Sequence, residues 1–309
     1  MKWQGVMPAI TTCFDKSLGI DHGFIAEHCR WLLDNGCTGI VALGSLGEGS
    51  TLTPDEKLAV VRTCVRAVGN RAPVIAAISS LSTTEAIALA RQTADLGCNG
   101  LMVLPPYVYQ GDSREMLGYV SSVLRATTLS CMLYNNPIAY GTDYLPEHIA
   151  QLAAENSNLH AVKESSADVR RITAIRALVG DELQIFVGVD DVIVEGIGAG
   201  AVGWVAGLAN AMPRESVDLF NYALEGESDK AFELYRWFLP LLRMDTVPKF
   251  VQLIKLVQEM AGMGNSRVRP PRLQLAGNEL EEAQNVVRTA MANRPKIAAG
   301  SSKPAALQS

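Results

Sequence analysis

Eight short apolar runs recur along this chain at the spacing of βα units, roughly 25–35 residues apart, and that repeat limits the fold more than any other feature. The runs cover residues 5–11, 39–43, 73–78, 100–104, 130–134, 159–163, 184–188 and 201–205. Helix start signals lie between them. Thr53-Pro54-Asp55-Glu56 has the form of a capping box with proline at the first helical position, and Ser82-Thr83-Thr84-Glu85 repeats the box. Gly36, Gly69 and Gly97 stand where helices should end before the next strand. Strands alternating with helices in this way predict an α/β fold, a closed parallel (β/α)8 TIM barrel with its chemistry at the strand C-termini. An open doubly wound sheet would want Gly-x-Gly-x-x-Gly after the first strand, and the chain has none there.

Beyond residue 212 the strands stop. Helical patterns cover 214–224, 229–243, 247–260 and 279–292. Residues 1–212 are therefore expected to form the barrel and 213–294 a C-terminal helical extension packed on it. The Ala-, Ser- and Pro-rich stretch 295–309 has no apolar period and is expected to be a disordered tail.

Composition narrows the function. Hydrophobic residues make up 48% of the 309 and charged residues 19%, ample for one large core. A net charge of -5 without a basic stripe argues against nucleic acid. Four histidines without ligand spacing argue against a metal, and six scattered cysteines suit reduced thiols in cytosol. The most span-like stretch, residues 193–212, is broken by Glu195 and five glycines, so no membrane segment is expected. The chain reads as cytoplasmic.

Chemistry is concentrated at the strand ends. The sixth run closes on Lys163, and a buried ammonium is costly unless paired or deprotonated. A lysine there either snorkels into water or serves as a Schiff-base nucleophile. The second run leads into Gly44-Ser45-Leu46-Gly47-Glu48, the fourth into Pro106-Tyr107-Val108-Tyr109, and the fifth into Tyr134-Asn135-Asn136-Pro137. A barrel would bring Lys163, Tyr134 and Ser45 to one mouth: an amine, a phenol able to pass protons, and a hydroxyl to hold the phenol. Blander readings stand beside these. Tyr134 could fill the core, Ser45 could cap a turn, and Asp190 and Asp191 could either hold a substrate hydroxyl or cap a helix. Glu48 reads as a loop anchor, and His160, three residues from Lys163 on a strand, should face the helices.

The Gly-Ser-Leu-Gly-Glu, Tyr-Asn-x-Pro and Val-Lys-Glu elements together resemble the family of dihydrodipicolinate synthase and N-acetylneuraminate lyase, over roughly residues 3–290. The resemblance implies a (β/α)8 barrel with a helical extension, a homotetramer (a dimer of dimers), no cofactor, and a small-molecule 2-oxo acid or cyclic imine as substrate. It implies that Lys163 attacks a 2-oxo carbon, that Tyr134 relays protons, and that Ser45 and Leu46 bind the substrate carboxylate. Tyr107, Tyr109, Gly188, Asp190 and Val205 complete the substrate-binding candidates.

The chain departs from the pattern of the synthases. They carry a carboxylate-gripping arginine two residues after the proline of Tyr-Asn-x-Pro, and here Ala139 stands there. Leu46 replaces a second hydroxyl, and Val108 a second tyrosine, with Tyr109 one residue on as a substitute. Residues 134–207 look most like the 1-pyrroline-4-hydroxy-2-carboxylate deaminases of hydroxyproline catabolism, which release ammonia and 2-oxoglutarate semialdehyde. The alternatives are a 4-hydroxy-2-oxoglutarate or related pyruvate aldolase, dihydrodipicolinate synthase itself, and a non-catalytic binding protein on the same barrel. A phosphate-binding isomerase would want a more polar loop than Gly203-Trp204-Val205-Ala206-Gly207.

Overall fold

A computed structural model describes residues 1–295. Its elements run β1 (Gly5–Pro8), α1 (His22–Asp34), β2 (Ile40–Ala42), α2 (Pro54–Val68), β3 (Val74–Ile78), α3 (Thr83–Asp95), β4 (Gly100–Val103) and α4 (Ser113–Leu124). They continue with β5 (Ser130–Asn135), α5 (Pro137–Tyr140), α6 (Pro146–Glu155), β6 (Leu159–Glu164), α7 (Arg170–Val179), β7 (Gln184–Val187), α8 (Ile193–Gly198) and β8 (Gly203–Ala206). Four helices follow: α9 (Pro213–Leu224), α10 (Ser228–Leu242), α11 (Phe250–Met260) and α12 (Gly277–Ala292).

The eight strands are all parallel, in the order β1-β8-β7-β6-β5-β4-β3-β2. Beyond the paired ladder, a parallel bridge between Ala9 and Val41 brings β1 to β2, with the Ile10 N–H donating to Val41 O at 2.9 Å. The sheet therefore curls into a TIM barrel rather than staying open, and the strands are buried on both faces, as helix-covered parallel strands must be, apart from exposed His160 and half-buried Ser130 and Gln184 near their N-terminal ends. Every expected run overlaps a strand, with β5, β6 and β8 each reaching one residue further.

The helix starts follow the capping chemistry. Thr53 and Glu56 bond reciprocally (Thr53 N–H to Glu56 Oε2, 2.9 Å; Glu56 N–H to Thr53 Oγ1, 3.3 Å). At α3 only half of the expected box forms, Ser82 Oγ accepting from the Glu85 N–H at 3.3 Å. A full box closes instead at Asp112 and Glu115, ahead of α4.

Helix α9 packs against α8 and β1 and so takes its place in the ring around the barrel, one helix later than the 212 boundary drawn from sequence. Helices α10–α12 then fold back over the structure. Lys255 of α11 reaches the loop after β2, where its Nζ donates to Glu48 Oε1 at 2.5 Å with both side chains buried. Arg269 clasps Glu56 (2.7 and 2.8 Å), fastening the segment before α12 to the start of α2. Among the described residues no helix is long and apolar enough to cross a membrane. The tail expectation lies, Pro295 apart, outside the described residues.

Candidate active site

β5 and β6 are in register at Tyr134–Lys163 and at Asn135–Glu164, so the two expected reactive residues are neighbours by strand pairing alone. Lys163 is buried, and its Nζ lies 4.3 Å from the centroid of the Tyr134 ring. Its stem runs across the end of β7: a Cβ on Gly188 would meet Ser165 Oγ at 1.9 Å and Lys163 Cε at 2.6 Å, so glycine there leaves room for both side chains. Behind the pair, Asn135 Nδ2 donates to Glu164 Oε2 (3.0 Å) and to Asp143 Oδ1 (3.2 Å), while Asn135 Oδ1 accepts the Tyr144 N–H (2.9 Å). Asp143 in turn receives both arms of Arg171 at 2.6 Å. Burial lifts the Glu164 carboxyl above its usual range, opposed by the bonds from Asn135 and the Ser166 N–H. His160 sits on the opposite side of β6 from Lys163 and is exposed, its Nδ1 2.8 Å from Ser130 Oγ.

The loop after β2 is built backwards over its own strand. Glu48 is left-handed (φ 55°), and a Cβ on Gly49 would meet Leu43 O at 2.3 Å, so the turn closes only with glycine at 49. Glu48 itself is buried and anchored to Lys255 and to the Arg269 N–H (3.0 Å), the structural role its sequence context suggested. The loop presents Ser45 to the mouth, but to a different partner from the one expected. Ser45 Oγ hydrogen-bonds the hydroxyl of Tyr140, whereas the Tyr134 hydroxyl accepts from Asn136 Nδ2 at 2.9 Å.

Tyr140 is the residue that sequence reasoning missed. Its ring stands edge-on to Tyr134 (centroids 5.9 Å apart) and to Tyr107 (5.5 Å), making a cluster of three phenols around Ser45. Burial, with the neighbouring phenols Tyr134 and Tyr107, pushes the Tyr140 hydroxyl far above the ordinary tyrosine range. Asn136 caps the single turn of α5, its Oδ1 accepting from the Ala139 N–H (3.0 Å), so Ala139 faces solvent and Tyr140 returns to the mouth. The available signal was that helical turn: a proline after a capping Asn starts a helix, which brings its fourth residue back on the inner side.

The remaining candidates divide. Leu46 and Val205 are buried, Val205 in register with Met7 of β1. Tyr107 joins the phenol cluster. Tyr109 does not: it is 55% exposed and donates to the Glu115 carboxylate (3.0 Å), tied to the start of α4. Asp190 neither waits for a ligand nor caps its own helix. It accepts from Trp204 Nε1 (2.9 Å), the Gly207 N–H (3.1 Å to each oxygen) and the Leu208 N–H (2.8 Å), bridging the ends of β7 and β8. Beside it lies Asp245, from the short turn 243–245 that follows α10, with its carboxyl against the Cα of Gly207.

A buried amine, three clustered phenols, a serine hydroxyl and two carboxyls thus meet at the C-terminal mouth of one barrel, where such folds do their chemistry. The model of the dihydrodipicolinate synthetase family matches residues 2–290. The chain belongs to that family. It is accordingly an enzyme of the lyase class. The chain is 30% identical over 287 residues to the 4-hydroxy-tetrahydrodipicolinate synthase of Methanococcus maripaludis, covering 93% of this chain and 98% of the relative. It is also 30% identical to the enzyme of that name from Methanocaldococcus jannaschii, with the same coverage. Among solved structures, a dihydrodipicolinate synthase from Bacillus anthracis superimposes with a TM-score of 0.90 at 27% identity, covering 96% of this chain and all of that one. A prophage protein of the family from Escherichia coli K12, solved in complex with pyruvate, gives 0.88 at 25% identity, covering 94% of this chain and 99% of that one.

Proposed function

We propose that this family member is a 1-pyrroline-4-hydroxy-2-carboxylate deaminase, opening and dehydrating its substrate through an imine on Lys163. The observation that carries the reading is the loop 137–141. It has no cation, Ala139 faces solvent where the synthases of the family carry a carboxylate-gripping arginine, and the next residue, Tyr140, bonds Ser45. A missing charge-assisted bond forfeits about 1.5–3 kcal/mol, or roughly one to two orders of magnitude in the condensation of pyruvate with aspartate semialdehyde.

In this reading the Lys163 amine adds to C2 of the cyclic imine, and the C2–N bond of the ring breaks to free the C5 amine. Tyr134, whose ring centroid lies 4.3 Å from the lysine nitrogen, carries protons at C2 and C3. Ser45 and Tyr140 extend that relay toward the mouth. Loss of the C4 hydroxyl as water leaves a C3=C4 double bond. Removal of a C5 proton with protonation at C3 turns the free amine into an enamine, and protonation at C4 with loss of a proton from nitrogen makes the imine at C5. Two waters then hydrolyse the two imines, giving ammonia and 2-oxoglutarate semialdehyde, a net consumption of one water. The same proposal includes assembly as a dimer of dimers, for which exposed Leu81, Val108 and Ile138 offer apolar surface on the loops after β3, β4 and β5.

The rival is the activity in the relatives' name, 4-hydroxy-tetrahydrodipicolinate synthesis. Incubation with the hydroxypyrroline carboxylate, and separately with pyruvate and aspartate semialdehyde, separates the two. Ammonia and the semialdehyde are expected from the first mixture and no efficient condensation in the second; the converse result overturns the proposal.

A further inference from the structure

Two carboxyls stand beside Lys163 at the mouth, and they are held differently. Both oxygens of Asp190 accept N–H bonds, from Trp204, Gly207 and Leu208. Asp245 Oδ1 is shielded from solvent and finds no hydrogen-bond donor among the described residues. The Asp245 carboxyl rests on the end of β8, where a Cβ on Gly207 would lie 2.2 Å from its Oδ1. Gly207 thus makes room for Asp245 as Gly188 makes room for Ser165 and Lys163, at the ends of adjacent strands. The turn that carries Asp245 is fastened to the loop after β7. Arg243 pairs with Asp191 (3.6 Å), and Tyr235 donates to the Asp191 carbonyl and to Glu195 Oε2 (3.1 Å). The helical extension is therefore pinned where it delivers one carboxyl toward the lysine.

We propose that Asp245 is the acid that protonates the hydroxyl leaving from C4 of the substrate. This rests on the function proposed above and adds the group that function lacks, since Tyr134 stands on β5, the neighbour of β6 on the side away from β7 and β8. The protonation state fits. Burial and the charge of Asp190, opposed by Lys163, push the Asp245 carboxyl well above its usual range, while at Asp190 the N–H donors of Leu208, Gly207 and Trp204 oppose the rise that burial causes. Of two close carboxyls, the one whose buried oxygen finds no donor takes the proton.

The step balances. The enamine on Lys163 holds the electrons of the broken C3–H bond. They return to form C3=C4 as the C4–O bond breaks, and the Asp245 proton leaves on that oxygen as water. Asp245, now a carboxylate, is reprotonated from solvent, which receives in exchange the proton that the relay took from C3. A general acid of this kind contributes about 10²–10⁴-fold.

The test compares wild type with Asp245→Asn on three reactions. Exchange of the methyl protons of pyruvate in D2O uses Lys163 and its relay without expelling a leaving group, and should change less than about threefold. Turnover of the hydroxypyrroline carboxylate should fall about 10²–10⁴-fold. Turnover of its 4-chloro analogue, whose chloride departs without a proton, should fall far less. Asp245→Ala is made in parallel, because deleting a carboxyl oxygen that no donor holds leaves no broken hydrogen bond at that atom. Equal losses on all three reactions, or no loss on the hydroxylated substrate, overturn the role given to Asp245. A wild-type enzyme inactive on that substrate overturns the proposed function and this role together, so the two failures are told apart.

Discussion

Asn135 Nδ2 donates to Glu164 Oε2 at 3.0 Å, one residue beyond the register pair Tyr134–Lys163. The second residue of one motif thus clamps the last residue of another, and the clamp fixes the strand ends from which the phenol and the amine project. Asn135 is fully buried and also holds the Tyr144 N–H and Asp143. Asn135→Ala would strand a buried N–H and a buried carboxyl together. The expected cost is about 2–4 kcal/mol, from one to two unsatisfied groups. A drop in denaturation midpoint at unchanged slope would register it, with turnover falling further than stability explains.

Lys163 should carry the imine. Borohydride added in the presence of pyruvate should increase the mass of the peptide containing Lys163 and of no other. Lys163→Arg should remain folded yet show neither the adduct nor turnover, because a guanidinium stays protonated. An adduct on another lysine would refute the assignment.

The strand count, the helices of the extension and the meeting of Lys163 with Tyr134 were legible in the sequence because each depends on local pattern: apolar runs, caps, and adjacent strand ends. Glu48 was readable as an anchor, though not that Lys255, 207 residues on, would be its partner. What stayed hidden depends on loops returning from outside the pattern. Tyr140 comes back through one helical turn, and Asp245 arrives from the extension, whose packing no periodicity records. The partner of Ser45 was misjudged for the same reason. Tyr109 was drawn to Glu115 by a capping box that the sequence reading had passed over.

Stability should fall on mild acidification because of His28. Its ring is buried and stacked between Phe24 and Trp31, and its Nε2–H donates to Asn210 O at 2.9 Å. Burial lowers its pKa from 6.5 to about 4. The neutral form is the folded one, so this contribution is complete above pH 6.5. Between 6.5 and about 4 the unfolded chain takes up a proton that the folded chain refuses. Stability is then lost at up to about 1.4 kcal/mol per pH unit. Denaturation at pH 7 and pH 5 should show this slope in wild type and a shallower one in His28→Gln; identical slopes would exclude His28 as the cause.

Ser45 and Tyr140 should behave as one unit. Their hydroxyls bond each other beside the ring of Tyr134, so either Ser45→Ala or Tyr140→Phe interrupts the same proton path. Each single variant is expected to slow turnover about 10²–10⁴-fold, the range of a lost acid–base group. The double variant should be little worse than either single one, because a path already cut cannot be cut again. Tyr134→Phe keeps the ring beneath Lys163 but removes the hydroxyl, and should fall in the same range. Melting temperatures should move little, since Ser45 and Tyr140 are only partly buried and water can replace a lost hydroxyl partner. Steady-state kinetics on the four variants decide the matter: losses that multiply in the double variant would mean that Ser45 and Tyr140 act separately.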